Sequence, residues 1–167
     1  MKRLYSIPAA VLAAGLILTG CSQGAENTAE NLIESATGAD VDLSDGSVTV
    51  TDEEGNVIES GSDVALPDDF PSDLPQPDGG TIVTASTMDG QVIVVWSMQG
   101  LTADDVDAYV AQVKAAGYGE ERDSASLGGD GVVSKTVTLA GNGKVITITG
   151  STVEGLGQIL VNISDDA

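Results

Sequence analysis

Apolar and polar residues alternate along Thr81–Met88 and again along 91–98, and Asp89-Gly90 separates the two runs. Alternation with period two sends successive side chains to opposite faces of a strand, and Asp-Gly favours a two-residue hairpin turn. The pattern predicts a hairpin with Thr87 opposite Val92, Ala85 opposite Val94 and Val83 opposite Trp96 on one apolar face. Ser86 with Ile93 and Thr84 with Val95 fall on the other, mixed face. A second hairpin is predicted across Asn142-Gly143, joining 132–140 to 145–150. There Val137 opposes Ile148 and Leu139 opposes Ile146, while Thr136 and Thr138 oppose Thr149 and Thr147. A last strand is expected over 158–164, with Ile159, Val161 and Ile163 on one face. The stretch 119–131 is polar and glycine-bearing, and reads as a loop or a ragged strand.

Between the hairpins the period changes from two to 3.6. Val106, Tyr109, Val110 and Val113 fall on one helical stripe. Thr102 is placed to cap that helix with Asp105 in the capping-box position, and Leu101 and Val106 form a hydrophobic staple. Asp104, Asp105 and Asp107 suit the positive end of the helix dipole, Lys114 suits the last turn, and Gly117 ends the helix. The predicted fold of 81–164 is α+β: a two-layer sandwich in which one helix covers an antiparallel sheet in the order β-β-α-β-β-β.

Upstream the pattern is weaker. Asn27 and Glu30 have capping-box spacing, and Ala29, Leu32, Ile33 and Ala36 form a short helical stripe. Three short alternating runs follow (41–43, 47–51 and 56–59), with Ser44-Asp45-Gly46 and Glu53-Glu54-Gly55 as turns. Helix and meander make a module at 27–60, below the size that usually folds alone, so it should dock on the main domain. Residues 61–80 carry Pro67, Pro71, Pro75 and Pro77 with five aspartates and read as a linker pinned at Phe70 and Leu74. The mixed face of the main sheet bears Thr84, Thr136, Thr138, Thr147 and Thr149, interrupted by Ile93, Val95 and Leu160. The N-terminal module is expected to cover those apolar positions.

The first twenty residues differ from all of this. Lys2 and Arg3 precede a mostly apolar run from Leu4 to Leu18, too short to span a bilayer but suited to a secretory signal. The run closes on Leu18-Thr19-Gly20-Cys21. This segment resembles the lipobox of bacterial lipoproteins, and the resemblance implies cleavage between Gly20 and Cys21 and lipidation of Cys21, as by palmitate. Residues 21–26 would then be a lipidated tether. The segments 30–38 and 66–75, with the acidic hairpin between them, look like small secreted lipoproteins of Gram-positive, actinobacterial-type bacteria. That resemblance implies no catalytic residues.

Charge narrows the function classes. From Cys21 to Val113 there are nineteen acids and no base, and the four bases beyond the leader are Lys114, Arg122, Lys135 and Lys144. Such a chain is repelled by nucleic acid and by anionic lipid headgroups. It contains no histidine, and its single cysteine is the lipidation candidate, which removes the commonest general base and thiolate chemistry. Asp40, Asp42 and Asp45 before Gly46 hint at a calcium loop, but Thr51 stands where an EF-hand requires glutamate. Glu120-Glu121 and Asp104-Asp105 are adjacent acids that do not converge. Ser97, Ser134 and Ser151 lack a base, and the glycines of 127–131 lack the residues of a phosphate loop. The expectation is a non-enzymatic interaction module of the cell envelope. It would be held on the extracytoplasmic face of the cell membrane by Cys21, without cofactor, catalytic residues or resident metal, and with an envelope protein as possible partner. The alternative is a module that binds a divalent cation or a small ligand.

Overall fold

A computed structural model describes residues 30–31, 34–35, 38–44, 46–127, 134–153 and 156–166. Residues 30–31 and 34–35 are helical, and ten complete elements follow among the described residues: β1 (Asp40–Ser44), β2 (Ser47–Thr51), β3 (Val57–Gly61), β4 (Thr81–Met88), β5 (Gln91–Gln99), α1 (Ala103–Ala115), β6 (Glu120–Leu127), β7 (Ser134–Gly141), β8 (Lys144–Val153) and β9 (Leu156–Asp165). The strands form one antiparallel sheet of nine, in the order β1-β2-β3-β4-β5-β9-β8-β7-β6. It is an α+β arrangement, dominated by strands, with α1 packed on one face.

Local signals account for the hairpins and for α1. Asp89 and Gly90 both take positive φ, as do Asn142 and Gly143, which is the geometry of a primed hairpin turn. The registers Thr87–Val92, Ala85–Val94, Val137–Ile148 and Leu139–Ile146 form as the alternation predicts. The Thr102 hydroxyl accepts from the Asp105 amide while the Asp105 carboxylate accepts from the Thr102 amide, closing the capping box. Val106, Tyr109, Val110 and Val113 of α1 are buried against Val94, Trp96, Leu139, Ile146, Ile148, Ile159 and Val161. At roughly 1.5–3 kcal/mol per buried apolar side chain, this layer is the main source of stability.

Three expectations change. The segment 119–131 contains a full strand, β6, so the main domain runs β-β-α-β-β-β-β rather than β-β-α-β-β-β. Every residue of β6 is exposed, because it forms an edge of the sheet with solvent on its outer side. No apolar alternation was required of it, and none was there to read. Trp96 faces Ile82 rather than Val83, because β4 bulges between Ile82 and Thr84. Thr84 Oγ1 donates to the Val83 carbonyl at the bulge. Finally, β3 pairs edge-to-edge with β4, from Val57–Thr87 to Ser60–Thr84. The meander extends the sheet sideways instead of lying across it.

The stretch between β3 and β4 packs on the helix side of the core. Phe70 N–H donates to the Pro67 carbonyl and Leu74 N–H to the Pro71 carbonyl, each at 3.0 Å. Two consecutive turns thus begin on proline and deliver an apolar residue at the fourth position. Leu74 is buried, and Leu66 and Phe70 pack beside it, with the Phe70 ring edge-on to Trp96 at 6.1 Å. Tyr109 of α1 donates to the Pro75 carbonyl at 2.9 Å. Burial pushes the Tyr109 phenol above its ordinary value.

Candidate functional site

Gly20 and Cys21, the residues singled out for cleavage and lipidation, lie outside the described residues, as do Leu32, Ile33, Ala36 and Asp45. Among the described residues, no helix is long and apolar enough to cross a membrane.

The threonines do assemble. On the face opposite α1, two rows of directly paired residues cross all nine strands. One runs Leu43–Val48–Ser60–Thr84–Val95–Leu160–Thr149–Thr136–Ala125, and the other Val41–Val50–Ile58–Ser86–Ile93–Asn162–Thr147–Thr138–Asp123. Thr136 and Thr149 hydroxyls lie 3.2 Å apart, and those of Thr138 and Thr147 lie 3.3 Å apart. Thr84 is separated from them by β5 and β9 and shares a hydrogen bond of 3.1 Å with Ser60. Each hydroxyl finds a cross-strand partner, which stabilises a half-solvated sheet surface.

These rows show that the meander half of the N-terminal module does not cover Ile93, Val95 and Leu160, while the module's helical stripe of Leu32, Ile33 and Ala36 lies outside the described residues. The meander lies beside them in the plane of the sheet, and all three remain partly exposed. The rows also show an inversion. In β5, β9, β8 and β7 the apolar face is the one under α1. In β1–β3 the apolar residues Val41, Leu43, Val48, Val50 and Ile58 are on the opposite face, and Asp40, Asp42, Thr49 and Glu59 are on the α1 side. One continuous sheet therefore carries two apolar surfaces of opposite orientation. A strand-by-strand reading shows the alternation of each run, but only the β3–β4 register relates their phases.

A shallow cleft of about 180 Å³ opens between α1 and β6, lined by Asp107, Lys114, Glu121, Ser124, Ser126 and Lys135. Lys114 Nζ donates to Glu121 at 2.7 Å, and Lys135 pairs with Asp107. Lys114 holds the Glu121 carboxyl below its ordinary value, with help from Ser124. Each cation is matched by an acid, so the cleft has little net field to draw an anion.

Several of the acids have structural partners. Asp52 accepts from the Asn56 side chain at 2.7 Å and from the amides of Glu54 and Asn56, which organises the β2–β3 turn and lowers its carboxyl below the ordinary value. Asp73 accepts from Tyr118 and Asn142. Asp40 and Asp42 lie on β1 opposite Thr51 and Thr49. Among the described residues, no group of three or more acids, histidines or cysteines is placed to hold a metal. Glu120 and Glu121 diverge, towards Arg122 at 3.6 Å and Lys114 respectively.

Two contacts at the β1 edge were not foreseen from the sequence. Glu30 Oε1 accepts from the Leu43 amide at 2.8 Å, and Glu34 Oε1 accepts from the Val41 amide at 3.2 Å. The i, i+4 spacing of the two glutamates was the available signal, but it pointed only to a helix face.

No protein-family model and no curated protein matches the chain. Among solved structures, the chain is similar to the solution structure of cyanobacterial PsbP (CyanoP) from Synechocystis sp. PCC 6803. The TM-score is 0.42 and the identity 12%, over 77% of this chain and 79% of that one.

Proposed function

We propose that this chain is a lipid-anchored, extracytoplasmic lipoprotein that serves the cell envelope as a non-enzymatic interaction module. The observation that carries the reading is Leu18-Thr19-Gly20-Cys21, closing a short apolar run behind Lys2 and Arg3 and holding the chain's single cysteine. Lipid on Cys21 would hold the protein at the membrane surface, and more than one acyl chain would make that attachment stable. The sheet face with Ile93, Val95 and Leu160 between threonine rows supports the interaction half of the reading. It offers apolar contact flanked by hydroxyls, the composition of a modest protein-binding surface.

The test is fractionation of a bacterial host expressing the chain with and without Cys21→Ala, fed labelled palmitate. The parent chain should sediment with membranes and carry label, and the variant should carry none. An unlabelled parent chain would overturn the anchor. For the interaction half, photo-crosslinkers at Val95 and Leu160 in the envelope should give adducts that one at exposed Ala111 does not. Equal yields at all three positions would count against the face.

A further inference from the structure

The two edges of the nine-stranded sheet differ: β6 is exposed along its whole length, whereas outward amides of β1 are covered by side chains. β1 is an outer strand, so the amides of Val41 and Leu43 point away from β2 and have no strand to pair with. The helical residues Glu30 and Glu34 supply a carboxylate oxygen to each. Four residues of helix rise about 6 Å and two residues of strand about 6.6 Å, so the two spacings match. Glu30 reaches the later amide and Glu34 the earlier one, so the helical segment runs antiparallel to β1. The carboxylates occupy the two donor positions that an added strand would use.

The same glutamates lie close to the attachment point. Cys21 and Glu30 are nine positions apart, a reach of at most about 32 Å and of about 17 Å for a flexible coil of that length. Across the sheet, eight steps of about 4.8 Å put β6 roughly 38 Å from β1.

We propose that Glu30 and Glu34 form a latch that joins the membrane tether to the β1 edge, so that the protein stands on that edge and presents the β6–α1 end outward. The proposal rests on the lipid-anchor reading for its direction and on the two hydrogen bonds for its rigidity. Without the latch, the tether would leave the domain free to tumble over the membrane. With it, one edge is closed to strand addition and the other is carried furthest from the bilayer.

Hydrogen exchange on the full chain in detergent tests the latch without reference to lipid. The Val41 and Leu43 amides should exchange slowly in the parent chain. In Glu30→Ala/Glu34→Ala they should exchange about tenfold faster or more, as expected for loss of a charge-assisted hydrogen bond. Glu30→Gln/Glu34→Gln keeps a carbonyl acceptor at each position and should restore most of the protection. Unchanged exchange in the alanine variant would overturn the latch. Orientation is tested with lipidated protein on phosphatidylcholine vesicles bearing a headgroup acceptor dye. With Cys21 modified, one introduced cysteine is the sole free thiol, at Asp42→Cys on β1 or Ser126→Cys on β6. Energy transfer should be strong from β1 and weak from β6, and the alanine pair should reduce the difference. Equal transfer from the two sites in the parent chain would overturn the orientation. Failure of the chain to stay on vesicles would overturn the anchor, leaving the latch to be judged by exchange.

Discussion

The Tyr118 hydroxyl donates to Asp73 Oδ1 at 3.0 Å, across 45 residues of chain. Asn142 Nδ2 donates to the other oxygen of the same carboxylate at 2.9 Å. Asp73 thereby joins the proline-rich strap, the exit of α1 and the β7–β8 turn. Burial and the neighbouring carboxylate both push the Tyr118 phenol above its ordinary value. Tyr118→Phe should lower unfolding free energy by about 0.5–1.5 kcal/mol in urea, and Asp73→Ala by somewhat more because it also removes the hydrogen bond from Asn142. The double variant should lose less than the sum of the two, since both remove one shared bond.

Gly150 and Gly157 are required where the helical layer comes closest to the sheet. A Cβ at Gly150 would collide with Val106, and one at Gly157 with Leu101. Both partners are buried at the start of the α1 region. Gly150→Ala and Gly157→Ala should each destabilise by about 1–3 kcal/mol through forced displacement of α1. Gly55→Ala, in open space but at positive φ, should cost through backbone strain alone. Thermal unfolding of the three variants separates the two causes, because Val106→Ala should partly rescue Gly150→Ala and leave Gly55→Ala unchanged.

Val94 and Val95 are adjacent on β5 and have opposite environments. Val94 is fully buried under α1 and Val95 lies on the open face. Val94→Thr should cost about 1–3 kcal/mol, because it places a hydroxyl where no partner waits. Val95→Thr should change stability by less than about 1 kcal/mol, as expected at a half-solvated strand position. Equal losses by urea denaturation would show that the face is covered.

The capping box yields a pH signature. The Thr102 hydroxyl and amide hold the Asp105 carboxyl below its ordinary value of 3.8. A carboxyl lowered in the folded state contributes stability that is fully present above the ordinary value and lost as pH falls through the folded one. Asp105→Asn should therefore be less stable than the parent chain at pH 7, and the gap should narrow from about pH 4 downward. Thr102→Ala should cost about 1 kcal/mol at pH 7. Chemical denaturation at a series of pH values reads both effects, and a gap that widens on acidification would contradict the assignment.

The elements visible in the sequence share one property: their signals lie within a few residues of each other. Asp89-Gly90 and Asn142-Gly143 fix hairpin registers because the turn itself sets which residues face. Thr102, Asp105 and Val106 define the start of α1 because capping is a contact over three or four residues. The bulge after Ile82 escaped, since alternation across it looks the same whichever residue slips. β6 stayed undecided between loop and ragged strand for the opposite reason. An edge strand exposed along its whole length needs no apolar face, and EERDSASL is as suited to a loop as to a strand. The Glu30–Leu43 and Glu34–Val41 bonds escaped because a glutamate on a helix face reads as solvated until a strand edge is placed beside it.

By itself, the sequence determined the strands' alternation, the two tight turns, the capped helix and the charge asymmetry, all of which follow from local backbone preference and side-chain period. Only the tertiary structure decided that β3 joins β4, that the apolar side of the sheet changes face between them, and that Ile93, Val95 and Leu160 stay partly open. Those outcomes depend on the relative phase of strands joined through nineteen residues of proline-rich chain. No local preference carries phase across such a distance. In the folded chain it is the β3–β4 register that sets the phase, with Leu66, Phe70 and Leu74 of the connecting stretch packed on the core.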